Sequence, residues 1–195
     1  MKKVILSVAF IAIAIVSLKA QTSGGVANVK VNVVLNPTLS ISLGSGANDG
    51  ELQDEVTLEY KSAKDYLTGV DTTVSKQLKV TSIGSGYRLK ATLSNGGKFT
   101  KVQGDASGQA EIDASQLLQV GIGGSTIKDG AANMDLDPQG SNSNASSSVL
   151  NKEIDMYYRA KELNEGQIKQ ILGSNANKST IAKYTVDIVY SIEAN

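Results

Sequence analysis

The chain has 195 residues, 19 basic and 19 acidic groups, and no His, Cys or Trp. The missing residue types exclude cysteine nucleophiles, Ser-His-Asp triads, imidazole bases, thiolate or imidazole metal sites, and disulfide bonds. The hydrophobic content, 41%, is that of a globular domain, which without disulfides must be stabilised by its own core.

The first twenty residues have the pattern of an export signal. Lys2 and Lys3 precede a 13-residue, almost wholly apolar stretch at residues 4–16, and a short polar turn follows up to Ala20. A bilayer-spanning helix needs about 20 apolar residues, so this stretch is short for an anchor and typical of a cleaved signal. We expect cleavage after Ala20 and a mature chain of residues 21–195 in the periplasm, at the cell surface or outside the cell.

Loss of the signal removes three lysines and leaves the mature chain with a net charge of −3. A mildly acidic surface of mixed sign gives no electrostatic reason to bind nucleic acid or anionic lipid. We therefore expect no nucleic-acid partner, and no transmembrane span once the signal is removed.

Alternation of apolar and polar residues with a period of two dominates the mature chain. It predicts strands with one buried and one wet face, which favours antiparallel sheets packed as a sandwich. Turn residues such as Asn95-Gly96-Gly97 separate the runs. The predicted strands lie, in chain order, at residues 27–35, 39–43, 56–60, 78–80, 87–93, 154–158 and 184–192. The predicted fold is a single all-β antiparallel β-sandwich, immunoglobulin- or pilin-like, with one or two short helical turns.

Two short helices interrupt the predicted strands. Asn164 and Gln167 have the spacing of a capping box, and Gly173 follows the apolar face of that segment. Asp113 with Gln116 either begins a second helical turn or belongs to a strand.

Residues 121–148 are rich in Gly, Ser, Asn and Asp, which predicts a flexible surface loop. The segment that starts at Asp135 begins like an EF-hand calcium loop, but its twelfth position is Ser146 where such a loop has a bidentate Glu. A solvated loop is one interpretation, and an irregular calcium site is the other. The candidate calcium ligands are Asp129, Asp135 and Asp137.

Motifs with catalytic chemistry are weak. Ser125 and Lys128 match the Ser-x-x-Lys motif of penicillin-interacting serine enzymes, but the companion Ser-Asp-Asn and Lys-Thr-Gly elements are absent. Glu162 and Glu165 are neighbouring acids, yet the chain has no Trp to form a sugar platform for glycosidase chemistry. We predict that the protein is not an enzyme.

The strand runs at residues 27–35, 56–60, 78–82 and 184–192, after a signal that ends in Ala-Gln, carry a resemblance to known proteins. The layout resembles a family of small exported β-sandwich proteins of Bacteroidetes-type bacteria. More distantly it is similar to the spore-coat-like sandwiches of pilins and adhesins. The resemblance implies no catalytic residue, and Asp71-Thr72-Thr73 is similar to the short O-glycosylation signal of exported proteins from such bacteria, which makes Thr72 a candidate glycosylation site.

These observations predict an exported, non-enzymatic structural or adhesive protein of the cell envelope, such as a fimbria-like subunit. The physical basis is the pair of long alternating runs near the two ends of the chain, because a strand at a sheet edge can pair with a strand of another chain. The expected partners are further copies of the chain, by strand exchange, or other envelope proteins; pairing within the monomer is the alternative. The rival function is a soluble periplasmic or secreted module that binds a glycan, a peptide or calcium, and no other cofactor is predicted.

Overall fold

The computed structural model of the chain divides into two compact units, residues 1–35 and residues 36–195. The predicted signal and the predicted ligand Asp137 lie outside the residues that the structure describes. Those residues are 29–46, 55–123, 125–136, 148–173 and 181–194.

The described part of the second unit is all-β and antiparallel, which confirms the predicted fold class at that level. Its strands are β1 (Thr38–Leu43), β2 (Val70–Ile83), β3 (Tyr87–Leu93), β4 (Lys98–Gln103), β5 (Glu111–Asp113), β6 (Leu118–Ile122), β7 (Ser125–Asp129), β8 (Asn133–Asp135), β9 (Val149–Ala160), β10 (Lys183–Thr185) and β11 (Ile188–Ala194). Its helices are α1 (Ala63–Thr68), α2 (Ala114–Leu117) and α3 (Glu165–Leu172).

The strands form three sheets. The largest has the order β1-β2-β9-β6-β7, and the two others have the orders β11-β3-β8 and β10-β4-β5. The long strands β2 and β9 pair from Val70 with Ala160 to Ser82 with Val149, and the ladder is irregular between Val74 and Leu78. In the described part of the chain β1 and β11 each have one strand partner, so each lies at an edge of its sheet there.

The core lies where side chains of the five-stranded sheet and of the β11-β3-β8 sheet meet. In β3 the predicted alternation is confirmed, since Tyr87, Leu89, Ala91 and Leu93 are buried and the residues between them are not. Complete burial of an aliphatic side chain stabilises the fold by about 1.5–3 kcal/mol. The cluster consists of Leu78, Val80, Tyr87, Leu89, Ala91, Leu93, Ala114, Leu118, Val120, Ile122, Met134, Leu136, Ile154, Met156 and Tyr158.

Local capping determines where α3 begins and ends. The side chain of Asn164 accepts a hydrogen bond from the Gln167 backbone N–H (2.9 Å), and the Gln167 side chain accepts one from the Asn164 backbone N–H (2.9 Å). Gly173, with φ of 86°, ends the helix in a conformation that favours glycine. The predicted helix and both of its ends are therefore confirmed.

The other two helices differ in how well the sequence predicted them. Asp113 precedes α2, which confirms the helical alternative there, but its side chain makes no capping bond. Helix α1 was not predicted, although Ser62 and Asp65 form a complete capping box at its start. The Ser-x-x-Asp spacing of those two residues was a local signal for it.

The predictions for residues 121–148 and 56–60 are wrong where the structure describes those residues. The predicted loop at 121–148 contains β7 and β8, which pair with β6 and β3, because its polar residues alternate with Ile127 and the buried Met134. Residues 56–60 are not a strand, although Val56 and Leu58 are half-buried and pack against the core. The alternation in this segment reflects burial of one of its faces, and the segment pairs with no strand among the described residues.

Candidate functional site

The most exposed apolar segment in the described structure is residues 29–35, which we call the N-terminal arm. Val29, Val31 and Val33 are 83%, 78% and 81% exposed, and Val34 and Leu35 are exposed to a similar extent. The arm forms neither helix nor strand, so the strand predicted at 27–35 is absent over its described part. A soluble domain rarely leaves such a run of apolar side chains in water unless something covers it.

Among the described strands that lie at a sheet edge, β11 is the longest, with seven residues. Ile188, Tyr190 and Ile192 are half-buried and pack against the core, whereas Val189, Ser191 and Glu193 are exposed. β11 pairs with β3 along its whole length, from Ile188 with Leu93 to Ala194 with Tyr87. Its other side has no strand partner among the described residues, so a row of backbone N–H and C=O groups is available there.

The structure divides the predicted strand at 184–192 in two. β10 pairs with β4, and β11 pairs with β3 in a different sheet. Between them the Asp187 backbone N–H donates to Ser94 Oγ (3.0 Å), and the Ser94 backbone N–H donates to the Asp187 carbonyl (2.9 Å). This pair of bonds directs the chain from one sheet to the other and sets where β11 begins.

A hydrogen-bond network anchors the middle of β11 to the core. The hydroxyl oxygens of Tyr190 and Tyr158 are 2.6 Å apart, and the Tyr158 hydroxyl donates to Gln77 Oε1, also at 2.6 Å. Burial, together with the neighbouring Tyr158, raises the pKa of Tyr190 far above its ordinary value, so the Tyr190 hydroxyl stays protonated. Tyr158 is buried and Tyr157 half-buried, as expected for adjacent residues on opposite faces of a strand.

Edge strand β1 lies close to β11, with Cα atoms within 8 Å, but the two strands are in separate sheets. β1 contains no charged residue and no proline, which are the residues that usually protect an exposed edge from unwanted pairing. Leu39, Ile41 and Leu43 alternate with polar residues, and Ile41 and Leu43 pack against the core. β1 and β11 are thus two neighbouring sheet edges, each without a second strand partner among the described residues.

Two of the three predicted calcium ligands line the same cavity. Asp129 and Asp135 border a shallow cavity of about 220 Å³ beside β7 and β8. The Asp129 carboxylate accepts hydrogen bonds from Gln119 Nε2 (2.9 Å) and Lys161 Nζ (3.2 Å), which lower its pKa. Within the described ranges no group of three acidic side chains is placed to hold a metal ion. Because the Lys161 ammonium already neutralises Asp129, a cation would have to displace it.

The candidate glycosylation site, Thr72, lies on β2 opposite Tyr158 of β9. Its side chain is half-buried, whereas the flanking Asp71 and Thr73 are exposed. A bulky glycan suits an exposed hydroxyl better than one on the face that turns toward the core.

The acids weighed for catalysis have structural partners. Glu162 forms an ion pair with Arg159 (3.4 Å), and Glu165 forms one with Lys169 in the first turns of α3 (2.6 Å). Ion pairs at the surface contribute little to stability.

An apolar groove of about 490 Å³ lies between α1 and α3. Its lining includes Tyr66, Leu67, Ile168 and Leu172, and Leu67 is 76% exposed. Tyr66 also stacks on Tyr60, with ring centroids 4.8 Å apart. This groove was not predicted from the sequence, because one of its walls, α1, was not predicted.

No protein-family model matches the chain, and the chain has no significant match among curated proteins. In the described ranges, no helix combines the length and apolar character that a membrane crossing requires.

Proposed function

We propose that the protein is an exported, non-enzymatic β-sandwich that serves as a structural or adhesive element of the cell envelope, in the manner of a fimbria-like subunit. The observation that carries the proposal is the N-terminal arm, a run of exposed apolar residues with strand periodicity that pairs with no strand among the residues described. In a self-assembling subunit, such a segment is covered by the next copy.

A sandwich architecture of the immunoglobulin or pilin type fits the way the core is built. Alternate side chains of the five-stranded sheet and of the β11-β3-β8 sheet enter one cluster. Two sheets that share a core through their inner faces are the two layers of a sandwich.

The connection between the arm and β1 lacks the residues of a tight hairpin turn. Only Asn36 and Pro37 lie between residue 35 and the start of β1. A two-residue hairpin requires positive φ at both turn positions, or Gly at the first, and proline holds φ near −65°. Asn36 and Pro37 meet neither requirement, so the sequence excludes a two-residue hairpin turn between the arm and β1.

The primary test is the mass of the mature chain, residues 21–195, isolated from its native envelope and measured by light scattering after size separation. We expect a ladder of multiples of the mature mass. A clean monomer would contradict assembly and favour a soluble binding module.

Deletion and matched substitutions test whether the arm is responsible. Deletion of residues 22–35 should abolish assembly and preserve the circular dichroism spectrum of the sheet. The double variant V31D/V33D should do the same, since it places two carboxylates on the apolar face of the arm. The matched control N32D adds a carboxylate on the polar face and should assemble. If the deletion unfolds the domain, the arm is an intramolecular strand and the proposal fails.

A calcium-binding module is the second candidate function, because Asp129 and Asp135 line one cavity. Such a module gains thermal stability from calcium and loses that gain with a chelator, as linkage between binding and folding requires.

A further inference from the structure

We propose that the acceptor for the N-terminal arm is the free edge of β11 in a second copy of the chain, and that the two strands pair antiparallel with Asn32 opposite Ser191. The inference rests on the proposed function and specifies its interface. The occupant of the edge is the arm, residues 29–35, and it pairs in a single register.

Length selects β11 among the edge strands. β11 has seven residues, whereas β5, β8 and β10 have three residues each and β7 has five. A three-residue edge cannot pair with most of the arm. β1, with six residues, is the one described rival of comparable length.

The side-chain pattern selects the register. With Asn32 opposite Ser191, the residues facing the core are paired as Val31 with Ile192, Val33 with Tyr190 and Leu35 with Ile188. The three partners on β11 are half-buried and lie on the core side of the strand, so the arm would complete their burial. A slip by one residue would turn Lys30 and Asn32 toward the core, which is strongly disfavoured.

Charge and exposure on the outer face agree with the same register. Lys30 comes opposite Glu193, whose carboxylate already accepts Lys90 Nζ at 2.6 Å on the β3 side, so the acid would lie between two ammonium groups. Val34 comes opposite Val189, and both are exposed in the chain as it stands, by 76% and 63%. A parallel arrangement with Asn32 opposite Ser191 would instead place Val34 against Glu193 and Lys30 against Val189. β1 carries no charge that could pair with Lys30.

Site-directed disulfide cross-linking tests the interface directly, because the chain has no cysteine of its own. N32C is prepared in one batch of mature chain, and S191C, S40C or S115C in another. The batches are mixed, allowed to assemble and oxidised, and the dimer is measured on non-reducing gels. All four positions are exposed, and the three serine variants are chemically identical substitutions on β11, on β1 and on α2, respectively.

We expect at least a ten-fold higher yield of dimer from N32C with S191C than from N32C with the control S115C. Preferential cross-linking to S40C would overturn the choice of β11 in favour of β1. Equal yields at all three positions, with multimers still present by light scattering, would overturn the interface while the proposed function stands. Absence of both cross-links and multimers would refute the interface together with the proposed function.

Discussion

Replacement of Tyr158 by Phe tests the network that attaches β11 to the core. The Tyr158 hydroxyl donates to Gln77 Oε1 at 2.6 Å and lies 2.6 Å from the Tyr190 hydroxyl. Tyr158 and Gln77 are only 4% and 3% exposed. The substitution removes both hydrogen bonds without changing the shape of the ring, and it takes a donor away from the buried oxygen of Gln77.

The magnitude follows from these contacts. A hydrogen bond contributes a net stabilisation of about 1 kcal/mol, and a buried acceptor that loses its donor costs about 1–3 kcal/mol. We therefore expect Y158F to lower the free energy of unfolding by about 2–3 kcal/mol, which corresponds to a fall of about 5–10 °C in Tm for a domain of this size. Y190F removes only the outer bond and should cost about 1 kcal/mol. Because both variants break the same bond, the double variant should cost little more than Y158F alone.

The assay is urea unfolding of the mature chain followed by circular dichroism. Y157F is the matched control, since Tyr157 is adjacent, lies on the opposite face of β9 and is only half-buried. Its cost should stay within about 0.5 kcal/mol. A cost for Y158F no larger than that of Y157F, or full additivity of Y158F and Y190F, would refute the network as the anchor of β11.

The remaining predictions concern capping, pH and calcium. S62A removes the capping box of α1 and should lower stability by about 1 kcal/mol, whereas S115A, at an exposed position, should be close to neutral; Tm shifts that are equal for the two would contradict this. Burial raises the pKa of Tyr60 from 10.0 to about 12, so its stabilising contribution is complete below the unfolded-state pKa and is lost as the pH rises through the folded-state value. Y60F should therefore lose less stability than the parent between about pH 10 and about pH 12 in urea titrations, and equal losses would argue against it. Millimolar calcium should leave Tm unchanged because Lys161 occupies the Asp129 carboxylate, and a chelator-reversible rise in Tm would instead favour the binding-module function.

Elements with local signals were predicted well. The apolar face of β3 was visible as Tyr87, Leu89, Ala91 and Leu93, and the ends of α3 were visible in Asn164 and its capping partner. Such patterns depend on residues two to four positions apart, so they can be recognised without a tertiary structure. The same kind of reasoning would have found α1, whose capping box was present in the sequence.

Strand pairing was harder to predict, because a strand exists only when another segment is in register beside it. Residues 56–60 alternate as clearly as β3 does, yet they pack one face on the core without pairing. The run at 184–192 reads as one strand, and its division depends on a contact between Asp187 and Ser94, which are far apart in the chain. The candidate interface was therefore the hardest feature to predict. Its two sides, the N-terminal arm and β11, are recognised only by the strand partners that they lack among the described residues.

The sequence by itself determined the strand-rich, cysteine-free character of the chain, the faces of its regular strands and the caps of its helices, because these follow from composition and short-range spacing. Only the tertiary structure decided which runs found partners. It left the N-terminal arm exposed, placed β11 at an edge, and turned the polar Gln77 into the core at the irregularity in β2, where Tyr158 meets it. These outcomes depend on contacts between residues tens of positions apart. Several segments have similar local patterns, and burial in a shared core decides which of them pair as strands.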